Sequence, residues 1–185
     1  MLPDVIEAYI HTHYGYGNLN GKYWLVGMEE GHGDGIEELV RRFQIWDDFG
    51  RNETDDVGDY HIELGMPQFF QEPVKLQHTW AHLIRLVLAA EGRSAGVEAV
   101  KAYQKNFLGR RSGDTCLLEL LPLPSPSTVA WHYGEWTGLS YLNSRNEYQR
   151  TCISRRIAHL QAMVEQYCPP VVVFYGITFR SSYEQ

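Results

Sequence analysis

Cysteine is scarce in this chain of 185 residues: only Cys116, Cys152 and Cys168 occur. They are odd in number, far apart and without metal-type spacing. A disulfide framework and a thiolate metal site are excluded, and a reducing, cytoplasmic compartment is expected. Cys116 sits within an apolar run and reads as core. Basic charge is also in deficit. The 16 Lys and Arg stand against 23 Asp and Glu, for a formal net charge of -7. That excludes a broad nucleic-acid-binding surface and leaves room only for a local basic patch. No apolar run approaches the roughly 18 residues of a membrane span, so no membrane contact is expected. The N-terminus lacks the charged start and cleavage site of a signal peptide. Internal repeats and low-complexity segments are missing too.

What remains is an ordinary globular composition, with 44% hydrophobic and 21% charged residues. It suits one domain over residues 1–185 with a sizeable core. The most informative stretch is Tyr23–Gly35, Y-W-L-V-G-M-E-E-G-H-G-D-G. Tyr23–Val26 is a short, fully apolar run of the kind a buried parallel strand shows. Gly27 breaks it, and a glycine-rich loop then carries Glu29, Glu30, His32 and Asp34. A helical period follows from Ile36 to Trp46, with Ile36, Leu39, Val40, Phe43 and Trp46 on one face and Arg41 and Arg42 mostly off it. Ligands of open α/β sheets bind at the carboxyl ends of strands. Here the glycines let backbone approach a ligand closely and bring titratable groups to that place.

Elsewhere the pattern alternates. Leu2–His13 is expected to be helical, with Pro3 and Asp4 in its first turn. Tyr14–Gly21 is a Gly/Asn loop. Asp47–Phe70 reads as a solvated acidic insertion, whose Phe49, Tyr60, Phe69 and Phe70 are candidate pocket walls. Pro73–Glu91 is a long helix closed by Gly92. On it His78 and His82 share a face, but Thr79 stands where a zinc-protease motif needs glutamate, so surface or core histidines are the better reading. Ser94–Phe107 is a further helix. Thr115–Leu121 is a second buried strand interrupted by Glu119, which is costly to bury unless paired or protonated. Asn143–Tyr167 is a helix carrying Arg145, Arg150, Arg155 and Arg156. Val171–Tyr175 is a third buried strand, and Ile177–Gln185 starts another helix. The three strands are expected to be parallel, with Tyr23–Val26 between the other two.

Three segments together resemble the uracil-DNA glycosylase superfamily. Leu25–Gly31, L-V-G-M-E-E-G, stands where that family has loops such as G-M-N-P-G. Cys116–Pro122, C-L-L-E-L-L-P, matches a second strand that ends in a base-reading asparagine. Pro169–Gly176, P-P-V-V-V-F-Y-G, matches a third strand that ends in glycine. The resemblance implies a three-layer α/β/α fold with a short parallel sheet. The family's fourth strand, H-P-S-x-x-S, has no counterpart before Gln185, as though the chain were truncated. Its histidine donor to the leaving base is therefore missing. The loop also departs from the family pattern, with Glu29 at the usual Asp or Asn position and Glu30 at the usual proline. Glu119 replaces the asparagine, and an ionised carboxylate accepts but does not donate.

The resemblance implies Glu29, Glu30 and His32 as catalytic candidates, with Glu29 as the water-activating or cation-stabilising acid. Gly27, Met28 and Glu119 would bind the base, with Phe43, Trp46 or Phe49 stacking on it. Arg145 and Arg150 are candidate contacts to single- or double-stranded DNA. No metal or cofactor is expected. Three functions stay open. One is a base-excising glycosylase acting on a base other than uracil. Another is a catalytically silent member that binds nucleic acid or protein. The last is a metal-assisted hydrolase using the acidic glycine loop.

Overall fold

The computed structural model describes residues 2–31, 35–127, 131–176 and 180–184. Chain order is α1 (Leu2–Thr12), β1 (Gly15–Gly17), β2 (Tyr23–Gly27), α2 (Ile36–Asp48), β3 (Thr54–Asp55), α3 (Val57–Glu63), α4 (His78–Ala90), α5 (Val97–Asn106), β4 (Thr115–Glu119), α6 (Tyr133–Thr137), α7 (Arg145–Tyr167), β5 (Val171–Phe174) and α8 (Arg180–Tyr183). Short 3-10 turns lie at Pro67–Phe69 and Ser140–Leu142. Side-chain caps set several helix starts. Ser144 accepts the Glu147 N–H at 3.2 Å, and its hydroxyl donates to the Glu147 carboxylate at 3.1 Å, which caps α7. Gln77 accepts the Trp80 N–H at 2.7 Å. That cap starts α4 at His78, five residues later than the Pro73 that periodicity predicted.

The strands form one mixed, mostly parallel sheet in the order β3-β1-β4-β2-β5. Strand β2 runs parallel to both β4 and β5, with Gly27 opposite Glu119 and Tyr23 opposite Val171. The expected placement of β2 between the other two apolar runs therefore holds. Alternation along the strands feeds two cores. Leu25 and Leu117 point to one side, where α1 supplies Tyr9 and Ile10, α2 supplies Phe43 and Trp46, and α4 supplies Ile84. Trp24, Val26, Cys116 and Leu118 point to the other, against Leu160 and Met163 of α7.

Three expectations need correction. The Gly/Asn loop contains β1, which pairs antiparallel with β4. Gly15 permits it: its φ is 144°, and a Cβ there would overlap the Leu117 carbonyl. The acidic insertion is folded: Asp47, Asp48, Asp59 and Glu63 are exposed as expected, but Asp55 and Asp56 are buried. Asp55 is fully buried and accepts from Asn52 and Arg111, each at 3.0 Å. Asp56 caps α3 through the N–H groups of Gly58 and Asp59, and pairs with Arg110 at 3.1 Å. Sequence shows the acids but not the Arg110–Arg111 pair that meets them across the fold. Finally, β5 is an edge strand and not a buried one. Val171 is 39% and Phe174 46% exposed, because β2 flanks it on one side and no described strand lies on the other.

Arg156 ties α7, β4 and α1 together. It is 2% exposed and donates to the backbone carbonyls of Leu120 (3.0 Å), Glu119 (2.7 Å), His13 (2.8 Å) and Ile10 (3.5 Å). Its guanidinium lies 3.4 Å from the Tyr14 ring centroid. One side chain of α7 thus pins the end of β4 to the end of α1. Arg156→Leu leaves four buried carbonyls without that donor and is expected to lower unfolding stability by about 3 kcal/mol. Urea titration reads this directly; a change under about 1 kcal/mol would mean the carbonyls find other partners.

Candidate functional site

The carboxyl ends of β2, β4 and β5 open onto a cavity of about 560 Å³, a volume suited to a small ligand. Backbone pairing continues past the strands and fixes its base. Leu120 and Leu121 donate to the Gly27 and Met28 carbonyls at 2.9 and 2.7 Å, and Tyr175 donates to Val26 at 2.9 Å. Gly27 lies so near the Glu119 carboxyl and the Tyr175 hydroxyl that a methyl there would run into both. The cavity brings together Met28, Glu29, Glu30 and Glu119, as the strand ends predicted. His32, the remaining catalytic candidate, lies outside the described residues, as does Asp34.

The three glutamates have unlike surroundings. Glu30 forms an ion pair with Arg42 at 2.8 Å, lies 3.4 Å from His61 Nε2 and accepts from the Tyr16 hydroxyl at 2.8 Å. Burial works to raise the Glu30 carboxyl, but Arg42 and His61 outweigh it and hold it well below the usual carboxylate range. His61 is fixed from behind, with Nδ1 2.8 Å from the Val57 carbonyl. Glu29 is gripped at both oxygens by Arg145, which also donates to Ser125 Oγ at 3.1 Å. Burial nonetheless pushes the Glu29 carboxyl up, beyond what Arg145 pulls it down. Glu119 has no arginine at its carboxyl among the described residues. Its Oε1 accepts from the Tyr175 hydroxyl at 3.2 Å, and its buried Oε2 has no hydrogen-bond partner. Burial, then the charge of Glu30, push the Glu119 acid up to about 8.

The walls are not those expected. Phe43 and Trp46 are 1% and 0% exposed and sit in the core beneath, because the apolar face of α2 turns toward the sheet. Phe49 packs half-buried against the same core and does not line the cavity. The aromatic walls are Phe69, Trp80 and Tyr175, with the Phe69 and Trp80 centroids 5.8 Å apart at 70°. Arg42 also lines the cavity, although its helix period had set it off the buried face. Its i, i+4 spacing to Glu38, a pair made at 2.9 Å, was the available signal. Tyr175 was findable as the last residue of a strand ending at the same edge. Nothing local in sequence marked His61 or Trp80.

The arginines of α7 do not form one phosphate-tracking row. Arg145 turns inward to Glu29, and Arg156 is buried. Arg150 is exposed, and Arg155 is exposed beside His11 Nδ1 at 2.6 Å. His78 and His82 lie exposed on α4 with ring centroids 4.7 Å apart. Among the described residues no group of three His, Cys, Asp or Glu is arranged to hold a metal ion. No described helix is long and apolar enough to cross a membrane.

No protein-family model matches this chain, and no curated protein and no solved structure matches it either.

The raised Glu119 acid ties stability to pH. Unfolded, a glutamate ionises near about 4.3. Folded, Glu119 ionises at about 8. Between these values the native chain holds a proton that the unfolded chain releases. The stabilisation is therefore complete at low pH and is lost as pH rises, with a limiting slope of about 1.4 kcal/mol per pH unit. Glu119→Gln removes this component. Urea unfolding of both proteins from about pH 5 to about pH 8 should show the wild type losing stability relative to the variant. Parallel curves would place the Glu119 proton elsewhere.

Proposed function

We propose that the cavity binds a nucleobase and that the chain works as a base-excising glycosylase-type hydrolase, related in kind to the uracil-DNA glycosylases. The observation that carries this reading is one arrangement. Glu119 and the Glu29–Glu30 loop face a common cavity at the carboxyl edge of parallel strands, walled by Phe69 and Trp80. A flat ring is held by aromatic faces and is read by groups at its edge. The three-layer arrangement of that family is part of the same proposal, and the two cores on opposite faces of the sheet support it.

Breaking an N-glycosidic bond leaves positive charge on the sugar carbon as the electron pair departs with the base. A fixed negative charge stabilises that centre, provided it does not have to reorganise. Glu30 fits the requirement: Arg42, His61 and Tyr16 hold it ionised and in place. Glu29 fits a different one. Its carboxyl is raised by burial, so it is a better proton acceptor for an attacking water than an ordinary glutamate. Arg145 orients it. On this reading Arg145 is a positioning residue and not a DNA contact, and contact with a strand falls to exposed groups such as Arg150.

Binding without excision is the second reading, and one observation favours it: both oxygens of Glu29 are engaged by Arg145. Single-turnover assays on single strands carrying uracil, hypoxanthine, xanthine or a normal base separate the two. Excision of at least one base is expected, reduced by about 10²-fold or more in Glu29→Gln. Retention of a strand with no release of its base would favour the silent reading. Neither binding nor release of any base would remove both.

A further inference from the structure

Among the described residues, three carboxyl groups share the cavity, and two guanidiniums answer them. Arg42 is committed to Glu30 and Glu38, and Arg145 to Glu29. Arg156 on α7 gives its N–H groups to backbone carbonyls, including that of Glu119 itself, and not to the Glu119 carboxyl. From β5, Tyr175 offers one hydroxyl at 3.2 Å. From α8, the Tyr183 hydroxyl donates to the Gly27 carbonyl at 3.1 Å, beside the site. An ionised third carboxylate would be buried next to Glu30 with no cation of its own, an arrangement that proteins avoid by keeping a proton. The free oxygen, Oε2, is buried against Gly27 and has no hydrogen-bond partner among the described residues. Glu119 itself lines the cavity, so a carboxylic acid proton on it is carried at the wall of the site.

We infer that Glu119 is the general acid of the site, meeting the bound base as a neutral carboxylic acid and passing it a proton as the base leaves. The inference rests on the glycosylase-type reading above. It also supplies a leaving-base donor, for which the sequence offered no residue. In the step, the bond from the sugar C1′ to the base nitrogen breaks and its electron pair goes to the base. The Glu119 proton moves to the base, leaving Glu119 ionised. Water adds its oxygen to C1′ and gives a proton to Glu29. Glu29 then releases its proton to solvent and Glu119 takes one back, so the sum is water plus nucleotide giving free base and an abasic sugar. The acid form is present over the neutral range because Glu119 ionises at about 8, and acids tuned in this way suit proton transfer near neutrality.

Two measurements on the full chain test this. Selective ¹³C labelling of glutamate carboxyls, with Glu119→Gln to assign the signal, reports the state of Glu119 without any turnover. The inference requires a neutral carboxyl at about pH 7; an ionised one overturns it whatever the activity. The second is the single-turnover excision rate against pH on the best strand of the panel above. The wild-type rate should fall about tenfold per pH unit once Glu119 ionises. Glu119→Gln keeps a donor N–H but has no proton to give. It should bind the strand within a few-fold of wild type, excise about 10²-fold more slowly and lack the falling limb. A base substituted to leave as a stable anion should be spared most of that loss. A Gln variant with near-wild-type rate, or with the falling limb intact, overturns the general-acid role while leaving the glycosylase reading standing. A wild type that excises nothing overturns both.

Discussion

Uneven pairing of charge at the end of the sheet is the constraint on which the site depends. Placing carboxylates where β2 and β4 end puts them out of bulk water, and a buried charge persists only if it is paired or neutralised. Each glutamate meets that demand differently. Glu30 is paired by an arginine on α2 and approached by a histidine on α3. Glu29 is paired by an arginine at the start of α7. Among the described residues, the Glu119 carboxyl is met by a tyrosine and no arginine. Three chemically identical side chains are thereby set apart: one firmly ionised, one raised, one raised to about 8. Environment separates acid from base in this way at many catalytic sites.

The rest of the fold serves to hold those partners. Arg42 can reach Glu30 because α2 packs its Phe43 and Trp46 face onto the sheet, carrying the guanidinium to the rim. His61 reaches it because Asp56 starts α3 and Arg110 holds Asp56. The apolar packing that hides Phe43 and Trp46 is thus what brings Arg42 into place. The residues expected to stack on a base support the charge pattern from the core, and the aromatic walls of the cavity include Phe69 and Trp80 instead.

The strands and their order were legible because Y-W-L-V, T-C-L-L and V-V-V-F are short continuous apolar runs separated by helical periods. The positions of Glu29, Glu30 and Glu119 followed from the same pattern, since Glu29 and Glu30 lie just past the first run and Glu119 interrupts the second. What could not be read was which distant side chain meets each acid. Arg42 is one turn from Glu38 but its partner Glu30 lies across a loop. Trp80 faces the cavity because of how α4 rotates about its own axis, which no local signal states. The acidic segment misled because composition counts charges without counting the cations that answer them: Asp55 and Asp56 look solvated until Arg110 and Arg111 arrive from the far side of the domain.

Burial also changes what a residue type means. Read from sequence, Glu119 in place of asparagine exchanges a group that donates and accepts for one that only accepts. In the folded chain the same residue has one oxygen bonded to Tyr175 and one free, and it ionises at about 8. A neutral carboxylic acid donates through its hydroxyl and accepts through its carbonyl, so its hydrogen-bonding pattern approaches that of an amide. The expectation that uracil is refused rested partly on acceptor-only character, and that part loses its basis. On the proposed reading, the difference from an asparagine lies elsewhere: unlike an amide, an acid can give its proton away. Whether a glutamate at this position behaves as a poor asparagine or as an acid with its own chemistry is decided by the arginine that it lacks.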